Sequence, residues 1–331
     1  MIYIHVPFCR SFCTYCDFYS EINCKGRDDA AVVAYVDNIC NEIDARRAEI
    51  EATLKTNTLY LGGGTPSVLP IDQLKRIVDK LGYGPYEEFT IEVNPEDIVE
   101  KGLDYVKGLV NLGVNRISTG VQSLDDNILR WMNRRHDAER ARLAYTYLQG
   151  VARSIDLIIG VPKMGIDTLK QTLDEVLEWS PEHISAYQLS IEDGSALAGM
   201  IERGEVKEAS EEDCRAQYEY LCEKLRAAGY HHYEISNWAK PGYEAKHNSA
   251  YWTRQPYAGL GPGAHSLQIL ADGTQRRSWN SQVLSGWTSD GEILSPKEIR
   301  EEEIMLNART DSGPIPESQW FISDEIIAGM I

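Results

Sequence analysis

The sequence predicts an α/β fold, built as an incomplete parallel barrel of the partial (β/α)6, TIM-like kind with an α+β extension behind it. Three observations predict it. Short apolar runs alternate with helix-period stretches over roughly the first 190 residues, the signature of strand–helix units in one parallel sheet. Glycine or proline punctuates the strand exits, at Pro7, Gly62–Gly64, Pro95, Gly120 and Gly160 to Pro162. The middle strands carry polar side chains on one face, where a barrel packed only for stability would carry bulky branched ones.

The expected strands are Ile2–Val6, Thr58–Leu61, Phe89–Val93, Arg116–Val121, Ile155–Ile159 and Ile184–Leu189. Between the first two lies a helical stretch, Ala30–Ile50, with Val32, Val36, Ile39 and Ile43 recurring at helical spacing. Strand alternation puts Thr90, Glu92 and Asn94 on one face, then Arg116, Ser118, Gly120 and Gln122, then Asp156 and Ile158. Such a polar interior implies a ligand inside the barrel. After residue 190 the pattern changes. Glu192 to Glu212 is acidic and reads as a solvated connector. A helix with Cys214, Tyr218, Leu221 and Leu225 along one stripe follows, then an aromatic, glycine-rich region from Tyr230 to Ser266. A last helix spans Ser295 to about Thr310. Three parts result: residues 1–190, 191–290 and 291–331.

Composition narrows the function. The 331 residues hold 51 acidic and 33 basic side chains, a formal charge of −18, with 43% hydrophobic residues. That balance suits a globular protein and disfavours nucleic acid or anionic lipid, which need a basic footprint. Five arginines crowd between Arg130 and Arg142, a stretch better read as a solvated helix than as a nucleic-acid patch in so acidic a chain. No apolar run reaches the roughly 20 residues of a transmembrane helix, and the start of the chain lacks a basic leader, so a cytoplasmic location is expected.

The seven cysteines carry the sharpest signal. Cys9, Cys13 and Cys16 follow the first strand in the spacing C-x3-C-x2-C. Three thiolates on one tight loop can hold three irons of a [4Fe–4S] cluster and leave the fourth iron open. A structural zinc site completed by His5 is the competing reading, although zinc sites usually pair C-x2-4-C units across a longer gap. Cys40, Cys214 and Cys222 sit on or near apolar helix stripes and read as small hydrophobes. Cys24 lies in a polar loop with no assigned role.

With the lead-in Tyr-x-His-x-Pro-Phe-Cys and the exit Tyr-Cys-Asp-Phe, this stretch resembles the radical S-adenosylmethionine (SAM) superfamily. It is most similar to the branch that holds oxygen-independent coproporphyrinogen III oxidases and haem chaperones of the HemW type. The resemblance implies a [4Fe–4S] cluster on Cys9, Cys13 and Cys16, with SAM chelating the open iron. It extends along the chain. Gly62-Gly63-Gly64-Thr65-Pro66-Ser67 matches the family's glycine motif, and lacks the Lys-Ser/Thr ending of a phosphate loop. Carried over residue by residue, it implies SAM contacts from Tyr3, Tyr15, Gly63, Gly64, Thr65, Glu92, Gln122, Arg134 and Asp156. Those side chains offer acceptors for ribose hydroxyls and an ammonium, and a cation for a carboxylate.

Within the branch, the features resemble the chaperone type. Cys9 comes almost at once, without the oxidases' long preceding segment, and Phe18 stands where they have a fourth cysteine. His247-Asn248-Ser249-Ala250-Tyr251-Trp252 reproduces an H-N-x-x-Y-W motif associated with haem in that type, so residues 191–290 are expected to cover the barrel mouth, with His247, Tyr251 and Trp252 as haem candidates. A histidine beside flat aromatic rings suits an axial ligand. His265 and the pair His231-His232 are rivals. The resemblance further implies haem as cargo, haem-accepting proteins (respiratory, membrane-associated ones among them) and an electron donor as partners. It also implies that residues 291–331 begin a winged-helix-like domain that is incomplete here.

Overall fold

A computed structural model of the chain describes residues 1–22 and 29–331. Cys24 lies outside the described residues. Six strands follow one another in the expected order: β1 (Ile2–Val6), β2 (Thr58–Gly63), β3 (Glu88–Val93), β4 (Arg116–Gln122), β5 (Ala152–Ile159) and β6 (His183–Gln188). Each pairs in parallel with the next. Three short strands extend the same sheet: β7 (His231–Glu234), β8 (Asn237–Ala239) and β9 (Ala258–Leu260). The order across the sheet is β9-β1-β2-β3-β4-β5-β6-β8-β7, with β9 parallel to β1 and with β8 and β7 antiparallel. A separate three-stranded meander, β10 (His265–Ile269), β11 (Gln275–Asn280) and β12 (Ser289–Ile293), supplies the β part of the extension.

The helices are α1 (Asp29–Ala45), α2 (Arg47–Ala52), α3 (Ile71–Leu81), α4 (Pro95–Asn111), α5 (Asp126–Trp131), α6 (Ala138–Tyr147), α7 (Ile166–Trp179), α8 (Ala196–Glu202), α9 (Glu211–Ala227), α10 (Lys246–Trp252), α11 (Pro296–Asn307) and α12 (Ser323–Ala328). Their starts follow local chemistry. Asp125 caps α5, Ser210 caps α9 above three acidic residues, and Ser295 with Glu298 forms a capping box on α11. The expected single helix Ala30–Ile50 divides into α1 and α2 at Arg46.

Two hydrophobic clusters hold the sheet. One joins α1, α3 and α4 to β1–β4, through Val36, Ile39, Ile77, Leu109, Ile4 and Leu61. The other joins α7 and α9 to β5, β6 and β8, and it includes Ala308, Ile315, Trp320 and Ile327 from the final segment. Residues 291–331 therefore pack into the same core as the barrel. Ile235 N donates to Arg309 O at 3.1 Å and Glu234 bridges to Thr310, so this segment is bound to the sheet's outer strand.

The acidic stretch 192–212 is not only a connector. It contains α8, whose Leu197 is fully buried and whose Leu197 N–H donates to Thr14 O at 2.8 Å. Leu197 and Val206, both buried, outweigh the acidic average of the stretch.

Candidate functional site

A cavity of about 470 Å³ opens at the C-terminal ends of β2–β6, where parallel α/β sheets build their sites. Thr90, Glu92, Asn94, Arg116, Ser118, Gly120, Gln122, Asp156 and Ile158 all line it, so the face expected from strand alternation is the interior face. A register irregularity between Gly120 and Gln122, with Gln122 at φ 66°, turns the end of β4. Such a left-handed, non-glycine residue costs of order 1 kcal/mol or more and is held by its surroundings.

Cys9, Cys13 and Cys16 line the rim on the loop after β1. That loop is pegged to the end of α5. Thr14 donates from its N–H to Met132 O (3.1 Å) and from its hydroxyl to Trp131 O (2.9 Å), satisfying carbonyls that a helix terminus leaves open. Asn133, at φ 57°, donates from Nδ2 to Phe12 O at 2.7 Å. The next residue is Arg134.

A chain of contacts then crosses the cavity from cysteine to cysteine. Cys9 Sγ lies 3.5 Å from Thr65 Oγ1, which accepts from Asn94 Nδ2 at 3.2 Å. Asn94 Oδ1 accepts from Arg134 Nη2 at 2.7 Å, and Arg134 Nη1 donates to Cys13 Sγ at 3.4 Å. A cation beside a thiol favours the thiolate, the form that ligates metal. Burial works the other way, pushing the Cys16 thiol up to about 11 and raising Cys9 as well.

Glu92 accepts from Tyr60 OH at 2.7 Å and from Gly63 N at 3.2 Å; Asp156 accepts twice from Ser118 Oγ, at 2.9 and 3.0 Å. Burial, with the neighbouring Asp156 charge adding to it, lifts Glu92 to about 7. Burial lifts Asp156 to about 6. Gln122 Oε1 and Arg134 Nε are buried with no partner among the described residues. One unpaired acceptor, an unpaired guanidinium donor and two carboxylates held above their usual range around one cavity are groups that suit a polar ligand.

The glycine motif is needed for packing at least as much as for ligand approach. A Cβ at Gly63, which sits at φ 104°, would lie 2.6 Å from the His5 ring, and one at Gly64 would lie 2.8 Å from Phe8 O. His5 itself has both ring nitrogens engaged, with Tyr3 OH at 3.1 Å and Tyr19 O at 2.8 Å. It is not turned towards the three thiols as a fourth zinc ligand would be.

Of the residues expected at the SAM site, Tyr15, Gly63, Gly64, Thr65, Glu92, Gln122, Arg134 and Asp156 line the cavity. Tyr3 stands behind it, its ring packed 6.1 Å from that of Tyr60. Tyr60, the bridging role of Asn94 and the bracing role of Ser118 were not foreseen, since each depends on a neighbour from another strand. The haem candidates lie elsewhere. His247 is 1% exposed, its Nδ1 2.9 Å from Thr58 Oγ1 and its Nε2 3.3 Å from Tyr251 OH. Burial lowers its pKa to about 3.

Segment 243–248 closes the opposite end of the barrel, against the first residues of the strands. Glu88, which opens β3, accepts the backbone N–H of Lys246 and His247 at 2.9 and 3.0 Å. It does from afar what a side-chain cap does locally, and α10 has no cap of its own. Arg116, which opens β4, donates to Tyr243 O, and His183 of β6 bridges Ser154 and Tyr233, both at 2.8 Å. The expectation that this part of 191–290 lies over the mouth is thus corrected: long-range partners on β2, β3 and β4 draw α10 to the floor.

Comparison with known proteins decides the family. The radical SAM superfamily profile matches residues 3–176. The chain belongs to the radical SAM superfamily. It is 37% identical to a Synechocystis protein named Heme chaperone HemW, over 94% of this chain and 78% of that one. It is 34% identical to a Lactococcus lactis protein of the same name, over 95% and 83%. Among solved structures, coproporphyrinogen III oxidase from Escherichia coli superposes with a TM-score of 0.75 at 23% identity, covering 96% of this chain and 78% of that one, which establishes the shared fold.

The radical SAM family implies a [4Fe–4S] cluster and SAM, and the residues fit both. Three thiols share one rim, and Gln122, Arg134, Glu92 and Asp156 line the same cavity, with Gln122 Oε1 and Arg134 Nε buried beside it without a partner among the described residues. When bound, the cluster supplies an electron and SAM a sulfonium that can be cleaved. With those groups bound, Arg134, which donates to Cys13 Sγ, would also offer a cation to a carboxylate, and Glu92 and Asp156 would offer acceptors to hydroxyl or ammonium groups. No helix among the described residues is long and apolar enough to cross a membrane.

Proposed function

We propose that this chain is a haem chaperone of the HemW type: it binds a [4Fe–4S] cluster and SAM in the barrel, binds haem, and passes haem to recipient haemoproteins in the cytoplasm. The observation that carries the reading is its 37% identity with a protein named Heme chaperone HemW across nearly the whole chain. Phe18, at the position of the oxidases' fourth cysteine, supports it. Phe12 and Phe18 are 48% and 67% exposed at the cavity rim, flat apolar surface of the kind a porphyrin covers. His247, Tyr251 and Trp252 remain the proposed haem segment, and His247 reaches iron only with α10 lifted, because both its ring nitrogens are engaged when α10 is seated.

Oxidative decarboxylation of coproporphyrinogen III is the second reading, favoured by the shared fold with that oxidase. One experiment separates the two. The cluster is reconstituted anaerobically, haem or coproporphyrinogen is added with SAM and a reductant, and haem absorbance and protoporphyrinogen are both followed. Stable haem binding and transfer to an apo-haemoprotein, without decarboxylation, is expected. Protoporphyrinogen formation would overturn the chaperone reading.

A further inference from the structure

Far from the barrel mouth, three side chains of metal-ligating type converge. Cys222 comes from α9, His232 from β7, and Glu317 from the turn of 3-10 helix Glu317–Ile322. One ligand atom from each lies within 4.8 Å of the others. We propose that Cys222, His232 and Glu317 form a zinc-binding site that clips the final segment to the outer edge of the sheet.

Hydrogen-bond accounting at His232 points to a cation. Nδ1 lies 2.8 Å from Glu317 Oε1, and Nε2 lies 3.3 Å from the carbonyl of Ile235. Both neighbours are acceptors: a neutral imidazole, with one N–H, satisfies one of them, and it takes either an imidazolium or a metal ion on Nδ1 to satisfy both. With that N–H on Nε2 donating to Ile235 O, Nδ1 presents a lone pair to a carboxylate across a short gap. A metal ion bonded to both satisfies the contact. A ring whose other nitrogen donates to a backbone carbonyl is the usual support of a histidine ligand.

The ring cannot easily turn away. It stacks on Trp238, with centroids 4.0 Å apart and planes 14° apart, and meets Trp320 edge-on at 4.4 Å. Tyr218 OH donates to the same Ile235 carbonyl at 3.1 Å. The ligand set is thiolate, imidazole and carboxylate, which suits a tetrahedral zinc ion with water in the fourth place. Seating it requires the Nδ1–Oε1 distance to widen from 2.8 Å to roughly 3.3 Å, the edge of a tetrahedron with bonds near 2 Å. Glu317 can make that move because it is 37% exposed. Its ion pair with Arg226, at 2.6 Å, opens to water without burying a charge, since Arg226 is 61% exposed.

The clip joins residues far apart in sequence: 85 residues separate His232 from Glu317. Closing so long a loop stabilises the attachment of residues 308–328 to the second core cluster. The cluster cysteines are excluded from this site by position, and the test keeps them apart from it.

The test uses the full chain with Cys9, Cys13 and Cys16 replaced by alanine, so that no cluster thiol competes. After chelation, cobalt(II) and zinc(II) are titrated separately. One equivalent of cobalt is expected to give a thiolate-to-metal absorption band, displaced by one equivalent of zinc. Cys222→Ser is expected to remove the band, and Glu317→Gln, at an exposed position that leaves the fold intact, to weaken zinc binding at least tenfold. An absent band in the parent chain, or a band that survives Cys222→Ser, would overturn the proposal. Cluster-reconstituted wild-type protein is expected to hold one zinc beyond its iron; none would also overturn it.

Discussion

The two ends of the barrel differ in how they treat their buried acids and imidazoles. At the floor, the carboxylate and the imidazoles find protein partners: Glu88 takes two backbone N–H groups, and His247 and His183 each use both ring nitrogens, while Arg116 Nη2 and Trp252 Nε1 are donors left over there among the described residues. At the mouth, Gln122 Oε1 and Arg134 Nε have no partner among the described residues, and burial holds Glu92 and Asp156 above the usual carboxylate range. Satisfied groups make a floor rigid. Unsatisfied ones mark where a ligand completes the structure, and there the chain gives up stability for binding.

The largest expected break is at the rim. Cys13→Ala removes one of the three proposed cluster ligands, and anaerobically reconstituted protein should lose its iron and its visible absorption, while circular dichroism stays unchanged. A variant that still assembled a full cluster would reassign the thiols.

Glu92→Gln tests the mouth in two directions at once. SAM affinity, followed by calorimetry, should fall more than tenfold. The ligand-free chain should become more stable at pH 8, by a few degrees in Tm. The sign follows from the raised pKa. Between about pH 4, where the unfolded side chain ionises, and about 7, the folded state keeps a proton that the unfolded state has released. Stability from this group is therefore lost as pH rises through that window, and Asp156 adds the same trend up to about 6. Acceptance of a ligand's hydroxyl or ammonium needs the ionised acids, so SAM affinity should climb between pH 5 and 8. A flat profile would sink this account of the two carboxylates.

Asn94→Ala cuts the chain of contacts joining Cys9 to Cys13. Arg134 Nη2 then keeps only Gly120 O, so stability should drop by about 1–3 kcal/mol in denaturant melts, and SAM should bind several-fold more weakly. At the floor, Thr58→Val releases His247 Nδ1 at a cost of about 1 kcal/mol. If α10 lifts to present His247, this variant should bind haem several-fold faster, and His247→Ala should bind it poorly. Unchanged haem kinetics in both would move the ligand to another residue.

Much of the mouth was legible because strand periodicity is exact. Once Thr90, Glu92 and Asn94 alternate with apolar residues, their shared face follows, and the cysteine spacing names the loop beside it. The floor was not legible. Glu88 and His247 stand 159 residues apart, and no local pattern announces that a strand's first residue will cap a distant helix. Segment 237–252 looks, by composition alone, like any aromatic cover. The same limit hid the Asn94 bridge, whose parts belong to three separate motifs. Leu197, Met200 and Ile201, in a seven-residue helix within an acidic stretch, gave too short a period to mark a buried helix.

The peg of Thr14 on α5 has a dynamic consequence. Thr14 N–H, one of its two links to the helix end, is also an exchangeable reporter. Arg134 follows that helix end at once, so the loop that carries the thiols and the arginine that reaches Cys13 share one anchor. Local opening of the loop frees both together, as a single cooperative unit. Hydrogen exchange at Thr14 and along α5 should slow in step when the cluster is assembled, which makes this short helix a gauge of cluster occupancy.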